Sequence, residues 1–191
     1  MRTIDPVIRA LCAVALACLA AACRSGDPES ADGPPAARSP DPASAAPALR
    51  TSADRYTLRR TPTGYEASIP FTYTNPTDAA VYVPSCRGTH PPSLEKRVDD
   101  GWELAWSPVV LLCLGPPVVI QAGESHADTL RLTAGYPGSD QAPQFTVEDP
   151  EGEYRMVWTV YESYDPDSGR GEPLPLRHRI SNTFVLEVEG P

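Results

Sequence analysis

The sequence holds five thiols and three imidazoles that could do chemistry: Cys12, Cys18, Cys23, Cys86, Cys113, His90, His126 and His178. Their spacing argues against catalysis. The three histidines stand apart from one another, and a dispersed histidine reads as a solvated residue rather than a base. No Gly-x-Ser-x-Gly elbow, phosphate-cradling glycine loop or His-Glu-x-x-His pair occurs. Asp165-Pro166-Asp167-Ser168-Gly169 opens like a calcium loop. However, the third ligand position falls on Gly169, and the twelfth on Leu176 where a glutamate is needed. This stretch reads as a solvated turn, and Glu148, Asp149, Glu151 and Glu153 read as another. The expectation is a protein that is not an enzyme, with no cofactor and no metal.

Cys23 is set apart by what precedes it. Arg2 and Arg9 supply a positive start, and Ala10 to Ala22 is an uncharged apolar run of 13 residues. A helix of that length, at about 1.5 Å per residue, falls well short of a hydrocarbon core of about 30 Å. It reads as the apolar region of an export signal. Its end, Ala20-Ala21-Ala22-Cys23, resembles the lipobox of bacterial lipoproteins, with Ala20 standing where leucine is most usual. The resemblance implies a signal peptide over 1–22, diacylglycerol on the Cys23 thiol, cleavage just before it and acylation of the new amino group. Arg24 then stands where an aspartate would favour the inner membrane, so an outer-membrane or periplasm-facing location is expected over the inner membrane. Two plainer readings fit the same residues: Ala20-x-Ala22 as an ordinary signal-peptidase site, or the run as a buried core helix. Cys18 is a competing lipidation residue, but it would leave only Ala10 to Ala17 as the apolar run.

Residues 23–52 read as a linker. They hold Asp-Pro, Gly-Pro-Pro, Ser-Pro and Ala-Pro steps, one leucine and no aromatic residue. Such a segment buries too little apolar surface to offset its ordering entropy. A disordered, partly polyproline-II tether is expected, with a ligand for a proline-recognition module as the alternative. Residues 1–50 carry five arginines and five carboxylates, so the net charge of −9 lies wholly in residues 51–191. An acidic domain repels phosphate backbones, which argues against nucleic acid as a partner.

With Cys12 and Cys18 removed in the signal and Cys23 lipidated, Cys86 and Cys113 remain as one pair in an oxidising compartment. A bond between them closes a loop of 27 residues, worth about 3.5 kcal/mol in the chain-entropy picture. The alternatives are free thiols, or a metal held by Cys86, His90 and Cys113.

From Arg55 onward the apolar residues recur with period two, the strand signature. Tyr65, Ala67, Ile69, Phe71 and Tyr73 alternate with polar residues in one long strand, and Pro70 suggests that it is an edge or carries a bulge. Asp99-Asp100-Gly101 between Leu94–Val98 and Trp102–Trp106 is a hairpin signal. Trp102, Leu104 and Trp106 share a predicted face, and Trp102, Trp106 and Trp158 are expected in the core. Tyr154 to Tyr164 is the longest predicted strand. The fold class is all-β: a single immunoglobulin-like antiparallel β-sandwich of about 7–9 strands over residues 53–191.

Phe71-x-Tyr73-x-Asn75-Pro76-Thr77-Asp78, then Val81-Tyr82-Val83, Asp100-Gly101-Trp102-Glu103-Leu104 and Ile120-x-Ala122-Gly123-Glu124 together resemble bacterial immunoglobulin-like domains. The intracellular proteinase inhibitor family has a similar order of strands and turns, with proline in place of Ala122. These motifs are structural turns, so the resemblance implies a fold and transfers no inhibitory residue. The expected function is a non-enzymatic envelope lipoprotein. It is held by a lipid anchor and presents an acidic binding or accessory module to a protein or small-molecule partner. A protease inhibitor-like domain is the alternative.

Overall fold

The computed structural model describes residues 46–86, 90–109 and 115–189. Ten strands and one 3₁₀ turn, Leu176–His178, make up its regular structure. The strands are β1 (Leu49–Thr51), β2 (Arg55–Thr61), β3 (Gly64–Thr74), β4 (Val81–Val83), β5 (Ser93–Val98), β6 (Gly101–Trp106), β7 (Val118–Ile120), β8 (Ser125–Gly135), β9 (Gly152–Val157) and β10 (Phe184–Val188).

The period-two alternation becomes the core directly. β3 buries Tyr65, Ile69, Phe71 and Tyr73 and turns Ser68, Pro70, Thr72 and Thr74 outward. It pairs with β8 along all eleven residues, from Gly64↔Gly135 to Thr74↔Ser125. β8 contributes Leu130, Leu132 and Ala134 to the same face. The second layer runs β10–β9–β5–β6. β2 joins the two layers by changing partner midway. Arg55 to Leu58 pair in parallel with β10, and Arg59 to Thr61 pair antiparallel with β3. Among the described strands β2–β10 is the one parallel pairing, beside two isolated parallel bridges, Leu49–Ser181 and Gly135–Gln144. Between the layers Tyr65, Phe145, Tyr154 and Phe184 form a chain of ring contacts at 5.8, 6.5 and 6.3 Å. The Trp106 indole N–H donates to the Thr133 carbonyl at 3.2 Å and ties β6 to β8.

Several expectations need correction. Ten strands lie among the described residues, against the expected seven to nine or so. The fold begins before residue 53, because Leu49 to Thr51 form β1 within the stretch assigned to the linker, and Leu49 is fully buried against Tyr73. Pro70 lies in an interior strand. Its carbonyl accepts from Ser52 at the end of β1. Its missing N–H falls on that flank opposite Ser52, so the β1 pairing ends there with one bond of the pair instead of two. β9 stops at Val157 and is not the longest strand. The chain leaves that layer, buries Trp158 and Val160, and pairs Tyr161 with Tyr82 of β4.

Trp102 is not in the core. The β5–β6 register slips between Leu94 and Glu95, so that Leu94 faces Trp106 while Glu95 faces Leu104. Ala105 is the extra residue of a bulge. A bulge reverses which side chains face inward, so Ala105 and Trp106 are buried and Leu104 is 53 % exposed. Trp102 faces outward beneath the Arg155 guanidinium, 4.6 Å from the ring centroid, with Arg97 at 5.8 Å. Glu95 holds Arg155 at 2.6 Å. The predicted Asp99-Asp100 hairpin is present, with Val98 paired to Gly101 and Asp99 at φ 49°.

Candidate functional site

The surface that the fold assembles most deliberately lies at the β4–β7 end. Asn75, 2 % exposed, organises it. Its side-chain amide donates to the Ala79 and Ile120 carbonyls at 2.7 and 3.0 Å, and its Oδ1 accepts from the Thr77 N–H and hydroxyl at 3.0 and 2.8 Å. The Asn75-Pro76-Thr77 turn therefore docks β4 beside β7. Val81, Val83 and Ile120 point into the core, and the alternate residues Tyr82 and Val119 pair on the outer face. Tyr82 and Tyr161 exchange both backbone hydrogen bonds, at 2.9 and 2.8 Å, and Tyr161 bridges to Pro173. The outcome is an outward row, Val119–Tyr82–Tyr161–Pro173, drawn from four chain segments. Tyr164 stacks on Tyr82 with centroids 6.2 Å apart and donates its hydroxyl to the Gly115 carbonyl at 3.2 Å. Val119 remains 44 % exposed. Sequence periodicity placed these tyrosines on strands without grouping them. The only local signal was Tyr82 flanked by two inward valines.

Of the predicted site residues, only Cys86 falls in the described structure, just beyond β4. Cys23 and Cys113 lie outside the described residues. Next to these cysteines in sequence, Gly115 and Ser85 are close neighbours. A Cβ on Gly115 would meet the Ser85 carbonyl oxygen at 3.2 Å.

The three histidines are partly buried and not, as expected, fully solvated. His126 stacks on Trp158 at 5.9 Å and 21°, and the His90 carbonyl accepts the Trp158 indole N–H. His178 sits on the 3₁₀ turn, where its Nε2 accepts from Arg177 at 3.2 Å. Burial holds His90 below the ordinary imidazole range, and burial followed by the Arg177 charge does the same at His178. The unfolded chain therefore binds a proton that the fold disfavours. The contribution is complete above the unfolded imidazole value, about 6.5, and is lost as pH falls below it. We expect the thermal midpoint to drop between neutral pH and pH 5, and His90→Gln to shrink that drop. A midpoint that followed the same pH curve in His90→Gln would contradict this role.

The two acidic turns are filled by their own chain. Asp165 accepts from the Asp167 N–H at 3.0 Å and the Ser168 hydroxyl at 2.7 Å, and the Ser168 bond is the main reason its carboxyl sits below its usual range. Asp149 accepts from the Glu151 N–H at 3.0 Å, and its carbonyl takes the Lys96 ammonium at 2.6 Å. That turn closes over Tyr154, whose hydroxyl donates to the Pro150 carbonyl at 2.8 Å and is pushed up by burial and then by Asp149. Among the described residues no three His, Cys, Asp or Glu side chains converge as a metal site.

No family model matches this chain, and no curated protein matches it.

Proposed function

We propose that this chain is a lipid-anchored protein of the bacterial envelope that presents an acidic β-sandwich as a binding or accessory module and is not an enzyme. One observation carries the reading: an apolar run of 13 residues ends in Ala20-Ala21-Ala22-Cys23 and gives way at once to a polar, proline-rich stretch. Two acyl signals hold a membrane where one is marginal, at about 0.8 kcal/mol per buried CH₂. The domain at the other end supports the reading through what its surface offers. Tyr82, Tyr161 and Tyr164 lie side by side at the β4–β7 end. No helix among the described residues is long and apolar enough to cross a membrane.

Cys86 and Cys113 are read as a disulfide. The antiparallel β4–β7 pairing supports this, since it runs Val83 beside Val118 and leaves Ser85 against Gly115. The inhibitor-like alternative rests on turn motifs, and the bonds of Asn75 account for the most specific of them as structure.

Replacing Cys23 tests the anchor. The native chain is expected in the membrane fraction, carrying label from fed fatty acid, and Cys23→Ser is expected to lose both. A variant that still sedimented with membranes and still took up label would remove the proposal.

A further inference from the structure

Among the described residues β8 pairs as a strand only with β3, so its other flank is a sheet edge. Ladder parity fixes which backbone groups lie on that edge. One step past the Thr74↔Ser125 pair, the Asn75 N–H donates to the Glu124 carbonyl at 2.9 Å. Hydrogen-bonded and non-hydrogen-bonded pairs alternate in an antiparallel ladder. His126, Asp128, Leu130 and Leu132 therefore turn their backbone groups to β3, and Ala127, Thr129, Arg131 and Thr133 turn theirs outward. The far side of β3 agrees, since the Pro70 carbonyl and the Thr74 N–H bond to the chain around β1. A row of outward backbone groups is a template for another strand. Two side chains of this chain occupy part of it. The Trp106 indole donates to the Thr133 carbonyl at 3.2 Å, and the Asp128 carboxylate accepts from the Thr129 N–H at 2.7 Å. Ala127 to Arg131 is left as the open stretch, with Asp128 at its middle. Asp128 stands on the inner face, between His126, which stacks on Trp158, and the buried Leu130. It lines a surface cavity of about 440 Å³ with Phe71, Pro91 and Arg131, so this half-buried carboxylate still meets water.

We infer that Asp128 guards this edge, and that without its carboxylate two copies of this chain pair through β8. A second copy brings the same outward row, and parity makes the row complementary to itself. In an antiparallel pairing outward residues meet outward residues, so β8 lies on a second β8 with either Thr129 or Leu130 at the twofold centre. The first register sets Asp128 beside Leu130 of the second copy, and the other sets it beside Leu132. Both need the Thr129 N–H for the new ladder. The carboxylate then loses its donor, and a leucine replaces water beside it. Burying a charge without a partner is costly, and twofold symmetry imposes that cost twice. A neutral β-branched residue imposes none of it and suits a strand. The inference stands apart from both the lipid anchor and the reading of the domain as a binding module.

The test uses the whole mature chain with Cys23→Ser, which needs no membrane, alone and with Asp128→Val. Sedimentation equilibrium reads the association state, and amide hydrogen exchange followed by NMR reads the surface used. With Asp128 in place, Ala127 and Arg131 are expected to exchange fast at every concentration. Asp128→Val is expected to dimerise at least about tenfold more tightly than the Asp128 chain. Exchange at Ala127, Thr129 and Arg131 should then slow by at least about tenfold as concentration rises. Asp128→Thr, polar and strand-forming, repeats the test should Asp128→Val lose the fold. The inference is overturned if Ala127 and Arg131 are already protected with Asp128 intact, or if the neutral variants associate no more tightly. Dimers that leave exchange at Ala127 and Arg131 unchanged would also overturn it, because they would use another surface. Loss of the fold in both variants would overturn it too, by making Asp128 a residue that folding requires. None of these results would bear on the anchor, which the Cys23→Ser fractionation decides separately.

Discussion

Trp158→Ala is expected to lower the free energy of unfolding by about 3–5 kcal/mol. Trp158 is 2 % exposed and lies where the chain passes from β9 to its pairing with β4. Its ring meets Phe71 and Tyr73 edge-on, both at 5.5 Å, and His126 lies across it. Truncation opens a cavity among residues of both layers, and it also strips the His90 carbonyl of its indole donor. A loss of that size is a large part of the 5–15 kcal/mol that typically separates folded from unfolded domains. Denaturant unfolding followed by circular dichroism measures it, and Trp158→Phe, which keeps a ring but loses the donor, should fall between the two. A loss below about 1 kcal/mol for Trp158→Ala would mean that the site closes up without the indole.

Gly64→Ala is expected to be nearly as damaging, for a different reason. Gly64 begins β3 and pairs with both Thr61 and Gly135, at the point where β2, β3 and β8 meet. A Cβ there would lie 1.9 Å from the Ala134 carbonyl oxygen and 2.8 Å from the Gly135 Cα. Both obstacles are backbone, so neither can rotate away, and the longest pairing in the fold must shift. The expected loss is about 3 kcal/mol or more, at the high end for overpacking. Gly138→Ala is the control. Gly138 has φ +75° but nothing within 4 Å of a Cβ, so only the left-handed strain of about 1–2 kcal/mol applies. Equal losses at the two positions would show that backbone conformation, and not the close approach, decides the cost at Gly64.

These two sites show how far local pattern reaches. Where one face of a strand is buried and the other is wet, alternation is written residue by residue, and β3, β8 and the β5–β6 hairpin were legible for that reason. The same alternation misled at Trp102, because one extra residue at Ala105 inverts the inward set and leaves no mark in composition. The parallel β2–β10 pairing carries no local signal either. It joins residues near opposite ends of the domain and depends on β2 leaving one layer for the other. β9 read too long because Trp158 and Val160 keep the period of two while the chain changes partners beneath them. Tyr82, Tyr161 and Tyr164 each looked like ordinary strand residues, and only the fold sets them side by side. Asn75 was legible as a turn former, but the four hydrogen bonds that make it the organiser of the β4–β7 end were not.

The proposed anchor at Cys23 is tested most directly by the intact mass of the protein extracted from native membranes. The predicted species begins at Cys23 and has lost residues 1–22. It carries a diacylglycerol thioether with an acylated amino group, and it lacks the two hydrogens that a Cys86–Cys113 bond removes. A chain recovered from the soluble fraction with an unmodified Cys23, or a membrane-bound chain that retains residues 1–22, would contradict it.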